Sequence, residues 1–246
     1  DYNSRHQQLS LDIDTRNMRV RDPLNDLKVV VRQNYREDNM VTVEHPSRLM
    51  GSRLIYEYNP KLIFPAGNEY RRMETVSNQY PGMGEDHIEF HAPYYYHILN
   101  LDGTRAHRPY RYDQTQHGRF FVREYSSEES DIEADYTPVI FTLDHGQYPD
   151  GDIYLDGDFV QRRFSPESKM EYDPAEGRYV KQIMLKQGAY NYQYLFLPHG
   201  SNKAVTAEIE GDHYETVNEY QVLVYYREPG SRYDRLLAVA YLFSGT

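Results

Sequence analysis

The sequence of 246 residues contains no cysteine, and that absence excludes disulfides, thiolate nucleophiles and cysteine-bound zinc. It leaves the compartment open, although it would suit a bacterial periplasm. Long apolar runs are missing too. No stretch approaches the roughly 18 uncharged residues of a membrane helix, so no direct membrane span is expected. Positive charge is in short supply: 27 Lys and Arg face 38 Asp and Glu, a net charge of −11. A nucleic-acid partner needs a basic footprint to meet its phosphates, and none is expected here. The opening, DYNSRHQQLSLDID, lacks the basic end and apolar stretch of a signal peptide, and reads as a mature or excised start.

What the chain has in abundance is tyrosine. Apolar residues make up only 39%, yet there are 26 Tyr and 9 Phe. A tyrosine ring is apolar with a polar tip, so it serves half-buried strands and binding surfaces alike. Such aromatic content argues against disorder. Residues 1–132 carry 17 basic and 20 acidic side chains, whereas 133–246 carry 10 and 18. The first part is also rich in Arg, whose planar fork recognises carboxylates and stacks on rings. An acidic protein partner fits this distribution better than DNA.

Hydrophobic periodicity is two-fold almost throughout. Leu9, Leu11 and Ile13 alternate with polar residues, and 27–33 is a β-branched run. Strands are expected also at 53–58, 70–76, 86–91, 93–99 and 119–125, with turn signals such as Asn59-Pro60, Pro81-Gly82 and Asp102-Gly103 between them. A second series covers 138–143, 152–155, 178–185, 190–197, 219–227 and 236–243. The fold class expected is all-β, as two consecutive β-sandwich-like domains. Their boundary is placed in the acidic segment 126–135 (SSEESDIEAD), giving domains 1–132 and 133–246. The alternative is a long loop inside one larger domain.

Reactive constellations are weak. His87 and His91 in HIEFH have a spacing that would share a helix face, but the zinc-protease pattern needs Glu beside the first His and the local pattern is a strand. DGDIYLDGD (150–158) is acidic enough to suggest calcium, yet Tyr154 and Gln161 occupy ligand positions five and twelve of an EF-hand loop. No nucleophile elbow, P-loop or dinucleotide fingerprint occurs. Paired carboxylates could serve a glycosidase, but their separation is a three-dimensional matter. Neither a catalytic residue nor a metal or cofactor is expected, and the protein is read as non-enzymatic.

The aromatic clusters say more. Tyr94, Tyr95 and Tyr96 are consecutive, so on a strand at least one opposes its neighbours. Tyr110 and Tyr112 are interleaved with Arg108 and Arg111, a mixture common at interface hot spots. These seven residues are the candidate partner-binding set, with cation–π packing as the plain alternative for the last four. Tyr190, Tyr192, Tyr194 and Phe196 share one face and read as core.

DIYLDGDF (152–159) and GRYVKQIMLKQGAYNYQYLF (177–196) resemble the strand, turn and strand of early-set, immunoglobulin-like sandwiches that include glycogen-binding modules. That resemblance implies sugar stacking on exposed aromatics, with Phe164 and Tyr172 as the glycan-binding candidates. Such modules favour Trp, and this sequence has none. A wider resemblance rests on HQQLSLDID, DPLNDLKVVVRQN, FPAGNEYRRMET, ESDIEADYTPVIFTL, LKQGAYNYQYLF and the long run EGDHYETVNEYQVLVYYREPGSRYDRLL (210–237). Together these look like the type IX secretion system plug protein family of Bacteroidota. The resemblance implies a periplasmic protein peripheral to the outer membrane. Its partner would be the translocon barrel, whose periplasmic mouth it closes sterically, with no bond chemistry. Members of that family normally carry a signal peptide and a further β domain ahead of the region matched. A carbohydrate-binding protein is the alternative function.

Overall fold

The computed structural model describes residues 2–245, and strands dominate it. The chain divides into two compact units. One joins the residues up to Gly67 to those from Asp212 onward, and the other is the continuous segment Asn68–Gly211. The first half of the discontinuous unit supplies β1 (His6–Gln8), β2 (Leu11–Asp14), β3 (Leu27–Gln33), β4 (Val41–Val43), β5 (Arg48–Met50), β6 (Arg53–Tyr56) and β7 (Ile63–Pro65). The continuous unit begins with β8 (Arg71–Glu74), β9 (Glu85–His91), β10 (Tyr94–Leu99), β11 (Asp102–Gly103) and β12 (Phe120–Val122). A single turn of helix, α1 (Ser130–Glu133), precedes β13 (Tyr136–Asp144) and β14 (Gly151–Asp156). This unit ends with β15 (Glu171–Asp173), β16 (Arg178–Lys186) and β17 (Gly188–Pro198). The chain then returns to the discontinuous unit with β18 (Glu219–Tyr226) and β19 (Arg235–Phe243).

Two sheets enclose the core of the discontinuous unit. One has the order β19-β18-β3-β4 and the other β2-β6-β5. Alternation selects the inward residues: Val29 and Val31 of β3, Val222 and Val224 of β18, Leu11 and Ile13 of β2, and Leu54 and Tyr56 of β6 are all buried. Each is worth roughly 1.5–3 kcal/mol when fully withdrawn from water. The central pairing joins the two ends of the chain, with Val222 opposite Val31 and Val224 opposite Val29. A buried polar network accompanies it. Gln7 donates to the carbonyls of Tyr214 and Thr216, while its own amide oxygen accepts from the Tyr220 hydroxyl and from Asn218. That satisfies amides which would otherwise be costly to bury.

The continuous unit is also sandwich-like. Its larger sheet runs β15-β16-β13-β10-β9, with β11 alongside β13, and its smaller one runs β12-β17-β14, with β8 on β17. Val139, Phe141 and Leu143 of β13 face Ile153 and Leu155 of β14 and the tyrosines of β17 in one core. β10 and β13 pair in parallel, His97 opposite Val139, and the chain crosses to the other sheet through β12 between them.

Two expectations need correcting. The acidic segment 126–135 does not divide domains, and 1–132 and 133–246 are not the units. It is the connection from β12 to β13 inside the continuous unit, holding α1, and Gln187 pairs with Asp135 at its end. Strands on both sides of it share one sheet. Nor does the second half form an early-set domain as a whole. β14, β16 and β17 do lie together, but β18 and β19 pair with β3 and belong to the other unit. The physical reason is the same in both cases. A polar, charged connection marks exposure to water, and exposure is common to loops within a domain and linkers between domains.

Candidate functional site

Tyr94, Tyr95 and Tyr96 open β10, which forms a hairpin with the sheet-edge strand β9. The register places Tyr95 opposite Phe90 and Tyr96 opposite Glu89. Tyr95 and Phe90 pack ring to ring at 4.8 Å on one face, and both are exposed. Tyr94 and Tyr96 take the other face, where Tyr96 meets His91 edge-on at 5.4 Å. His87, Glu89 and His91 follow at every second residue of β9, so all three share this face. Glu89 lies 2.9 Å from a ring nitrogen of each histidine, and Asp86 lies 2.7 Å from the other nitrogen of His87. Hydrogen bonds from His91 and His87 hold the Glu89 carboxyl below its ordinary range. The bonds to Glu89 and Asp86 raise His87 above its own. Among the described residues no group of three such side chains is arranged to hold a metal. Further along the hairpin His97 is fully buried and bonded to Glu85 and Asn78.

Arg108, Tyr110, Arg111 and Tyr112 lie in the long irregular loop between β11 and β12. Connections of this length without regular structure are usually functional. This one is pinned along its length. Arg105 donates to the Glu69 carbonyl and to Glu210, each at 2.7 Å, and the main chain of Arg108 closes a turn back onto Arg105. Tyr110 is half-buried because its hydroxyl donates to Glu69 at 2.8 Å. Arg72, from β8, grips Asp113 at 2.9–3.0 Å.

The result is an open cleft of about 630 Å³ lined by Asn68, Glu69, Arg72, Arg105, Arg108, Pro109, Arg111, Tyr112 and Asp113. Four arginines thus converge there. Arg72 and Arg105 are committed to carboxylates, while the side chains of Arg108 and Arg111 are exposed and make no hydrogen bond or ion pair among the described residues. Tyr112 is 62% exposed.

A buried ionic cluster supports the cleft. Arg71 of β8 bonds Glu210 through two nitrogens at 3.0 Å each and Asp102 of β11 at 2.7 Å. Tyr192 and Tyr194 of β17 both donate to the second oxygen of Asp102, at 2.8 and 2.9 Å. The Arg71 guanidinium also sits 5.2 Å from the centre of the Tyr194 ring. Burial alone would raise the Glu210 carboxyl, but the charges of Arg71 and Arg105 outweigh it and bring the group down to about 2. Burial, then Asp102, push both tyrosines well above the usual phenol range. This is a positioning frame: two cations and two anions cancel, fixing where β8, β11 and the loop meet.

The tyrosine stripe of β17 is core, as its alternation indicates: Tyr190, Tyr192, Tyr194 and Phe196 are all buried. The two glycan candidates are half-buried. Phe164 packs on Tyr154 at 5.1 Å, and Tyr172 meets Tyr179 edge-on at 5.1 Å. Tyr172 also lines an open cleft of about 490 Å³ with Glu171, Asp173, Lys181 and Gln182.

Of the seven partner-binding candidates, the structure gathers Arg108, Arg111 and Tyr112 at the cleft, with Tyr110 bonded to its Glu69 wall. It puts Tyr94, Tyr95 and Tyr96 on a separate hairpin that shares no hydrogen bond, ion pair or ring contact with them. Arg72, Arg105 and Asp113 complete the cleft and were not singled out from sequence. The adjacent arginines of EYRRMET were the one available signal, and nothing local says that alternate positions on a strand aim one at a buried acid and the next at a loop.

Fold and surface together define an all-β, sandwich-type protein whose continuous unit presents an arginine and tyrosine cleft. No family model matches the sequence, and no curated protein does. Among solved structures the chain is similar to a hypothetical protein from Parabacteroides merdae ATCC 43184, known from a crystal structure at 2.30 Å resolution. The two are 47% identical with a TM-score of 0.96 over 98% of this chain. The match takes in 61% of the other chain, so the sequence here spans about three-fifths of that protein's length.

Proposed function

We propose that this protein is a non-enzymatic, periplasmic plug or accessory subunit of the type IX secretion translocon, peripheral to the outer membrane and acting by protein–protein binding. Three things support the reading. The sequence resembles that family over most of its length, and the similar crystal structure comes from a Bacteroidota species. No helix among the described residues is long and apolar enough to cross a membrane, which agrees with a peripheral partner and says nothing of strands. The observation that carries most weight is the cleft. Two arginines whose side chains have no partner among the described residues and an exposed tyrosine are held on a pinned loop, the composition of an interface anchor.

The test is capture of the outer-membrane translocon from detergent-solubilised membranes by the tagged full-length protein. Recovery of the barrel subunit is expected. A folded bait that recovers none of it would falsify the reading. The carbohydrate alternative rests on the Tyr172 cleft, where polar side chains flank an aromatic ring. Titration calorimetry with maltooligosaccharides and cell-wall glycans decides it, and absence of heat removes it.

A further inference from the structure

The two units divide the charge very unevenly. The discontinuous unit holds 13 basic and 14 acidic side chains, close to neutral, whereas the continuous unit holds 14 basic and 24 acidic. A concentration of arginine on the continuous unit therefore stands against its own background. Of the four guanidiniums at the cleft, Arg72 is balanced by Asp113 and Arg105 by Glu210, an acid it shares with the buried Arg71. Arg108 and Arg111 remain. The Glu69 carboxylate is already bound to Tyr110 and is buried in the wall of the cleft.

From this arrangement we infer that the cleft is a binding site for an acidic peptide segment, whose carboxylates are held by Arg108 and Arg111 while Tyr112 and Pro109 carry its backbone. The inference rests on the protein-binding reading above and supplies the partner's chemistry. A carboxylate matches the planar guanidinium fork with two parallel hydrogen bonds. The volume, about 630 Å³, lies within the range of sites that hold small ligands or a few residues of an extended chain. The loop is fixed beforehand by Arg105, Tyr110 and Asp113, so binding need not order it, and that ordering cost is removed. A long polyanion such as a nucleic acid would cross the acidic remainder of the unit. A short acidic segment meets only the local charge.

The experiment is fluorescence anisotropy with labelled hexaglutamate on the full chain, alongside hexaglutamine, inorganic phosphate and a short oligothymidylate as competitors. Hexaglutamate is expected to bind with an affinity that falls as salt rises. Replacing both arginines, R108A with R111A, is expected to weaken it about tenfold or more without changing the thermal melt. Both side chains are exposed and make no hydrogen bond or ion pair among the described residues, so the fold does not depend on them. Should the double variant lose its cooperative melt, R108Q and R111Q singly give the same reading. Silence towards hexaglutamate at about millimolar protein, equal binding by the double variant, or equal binding of hexaglutamine overturns the inference. Phosphate or oligothymidylate outcompeting the peptide also overturns it, since the site would then be for another anion. Translocon capture with a silent peptide titration removes this inference alone. Peptide binding without translocon capture removes the proposed function alone.

Discussion

Individual side chains in this protein show how burial and pairing compete. Tyr56 is fully buried in the discontinuous unit, its hydroxyl has no hydrogen-bond partner among the described residues, and burial pushes its phenol up to about 12. A buried hydroxyl without a partner is a cost that phenylalanine avoids. Tyr56→Phe is therefore expected to stabilise the protein by about 1 kcal/mol, read as a higher denaturant midpoint at unchanged slope. Glu210 is the opposite case, because two arginines make its charge favourable. Its folded pKa, about 2, lies below the ordinary carboxylate value of 4.5. The stabilisation it brings is therefore complete above about 4.5 and is lost as pH falls through about 2. Denaturant titrations between these limits should show stability falling with acid. Glu210→Gln should be less stable at neutral pH and show a flatter pH dependence. Neither residue's situation is legible locally, since both depend on neighbours far along the chain.

At the level of elements, two edge strands have contrasting surfaces. On β9, alternation brings His87, Glu89 and His91 to one face, and the carboxylate between the rings keeps His87 easier to protonate. Glu89→Gln should move the His87 titration midpoint down towards 6.5, measured from its imidazole signals by NMR. A midpoint that does not move would show that Glu89 is not the cause. β19 is the other edge, and from Leu236 to Phe243 it contains no charge, with Leu236, Val239, Tyr241 and Phe243 all exposed. Long, uncharged edges invite pairing with other chains, and a lysine on such an edge discourages it. Val239→Lys should reduce concentration-dependent association in light scattering while leaving the melt nearly unchanged. Both strands were legible in the sequence, with boundaries close to those observed. Their edge positions were not, because a near-continuous apolar run such as LLAVAYLF reads as the middle of a sheet.

For the molecule as a whole, the decisive pairing is β3 with β18, nearly 200 residues apart in sequence. It joins the two chain segments of one unit, and the stretch between them in sequence is the second unit. The chain leaves the first unit at Gly67 and re-enters at Asp212, where the Gly67 amide donates to the Asp212 carboxylate at 2.8 Å and the His213 amide to the Gly67 carbonyl at 2.9 Å. Termini this close are those of a domain inserted into another. Residues 68–211 expressed alone should melt cooperatively, whereas fragments 1–132 and 133–246 should each fail to do so, since either cut divides both cores. Cooperative melting of the two halves would refute the assignment.

Side-chain alternation is a property of neighbouring residues. It was enough to determine that the chain is all-β, where most strands lie, and that the β17 tyrosines are core. For Arg108, Tyr110, Arg111 and Tyr112 it left surface recognition and cation–π packing both open, because a mixed run of arginine and tyrosine has no alternation to say which side chains face inward. Partners across a sheet are chosen by shape and burial over the whole chain, and no local pattern records them. Only the tertiary structure decided that β18 returns to β3, that 126–135 lies within a unit, and that Arg72 and Arg105 are paired with acids while the side chains of Arg108 and Arg111 stay exposed.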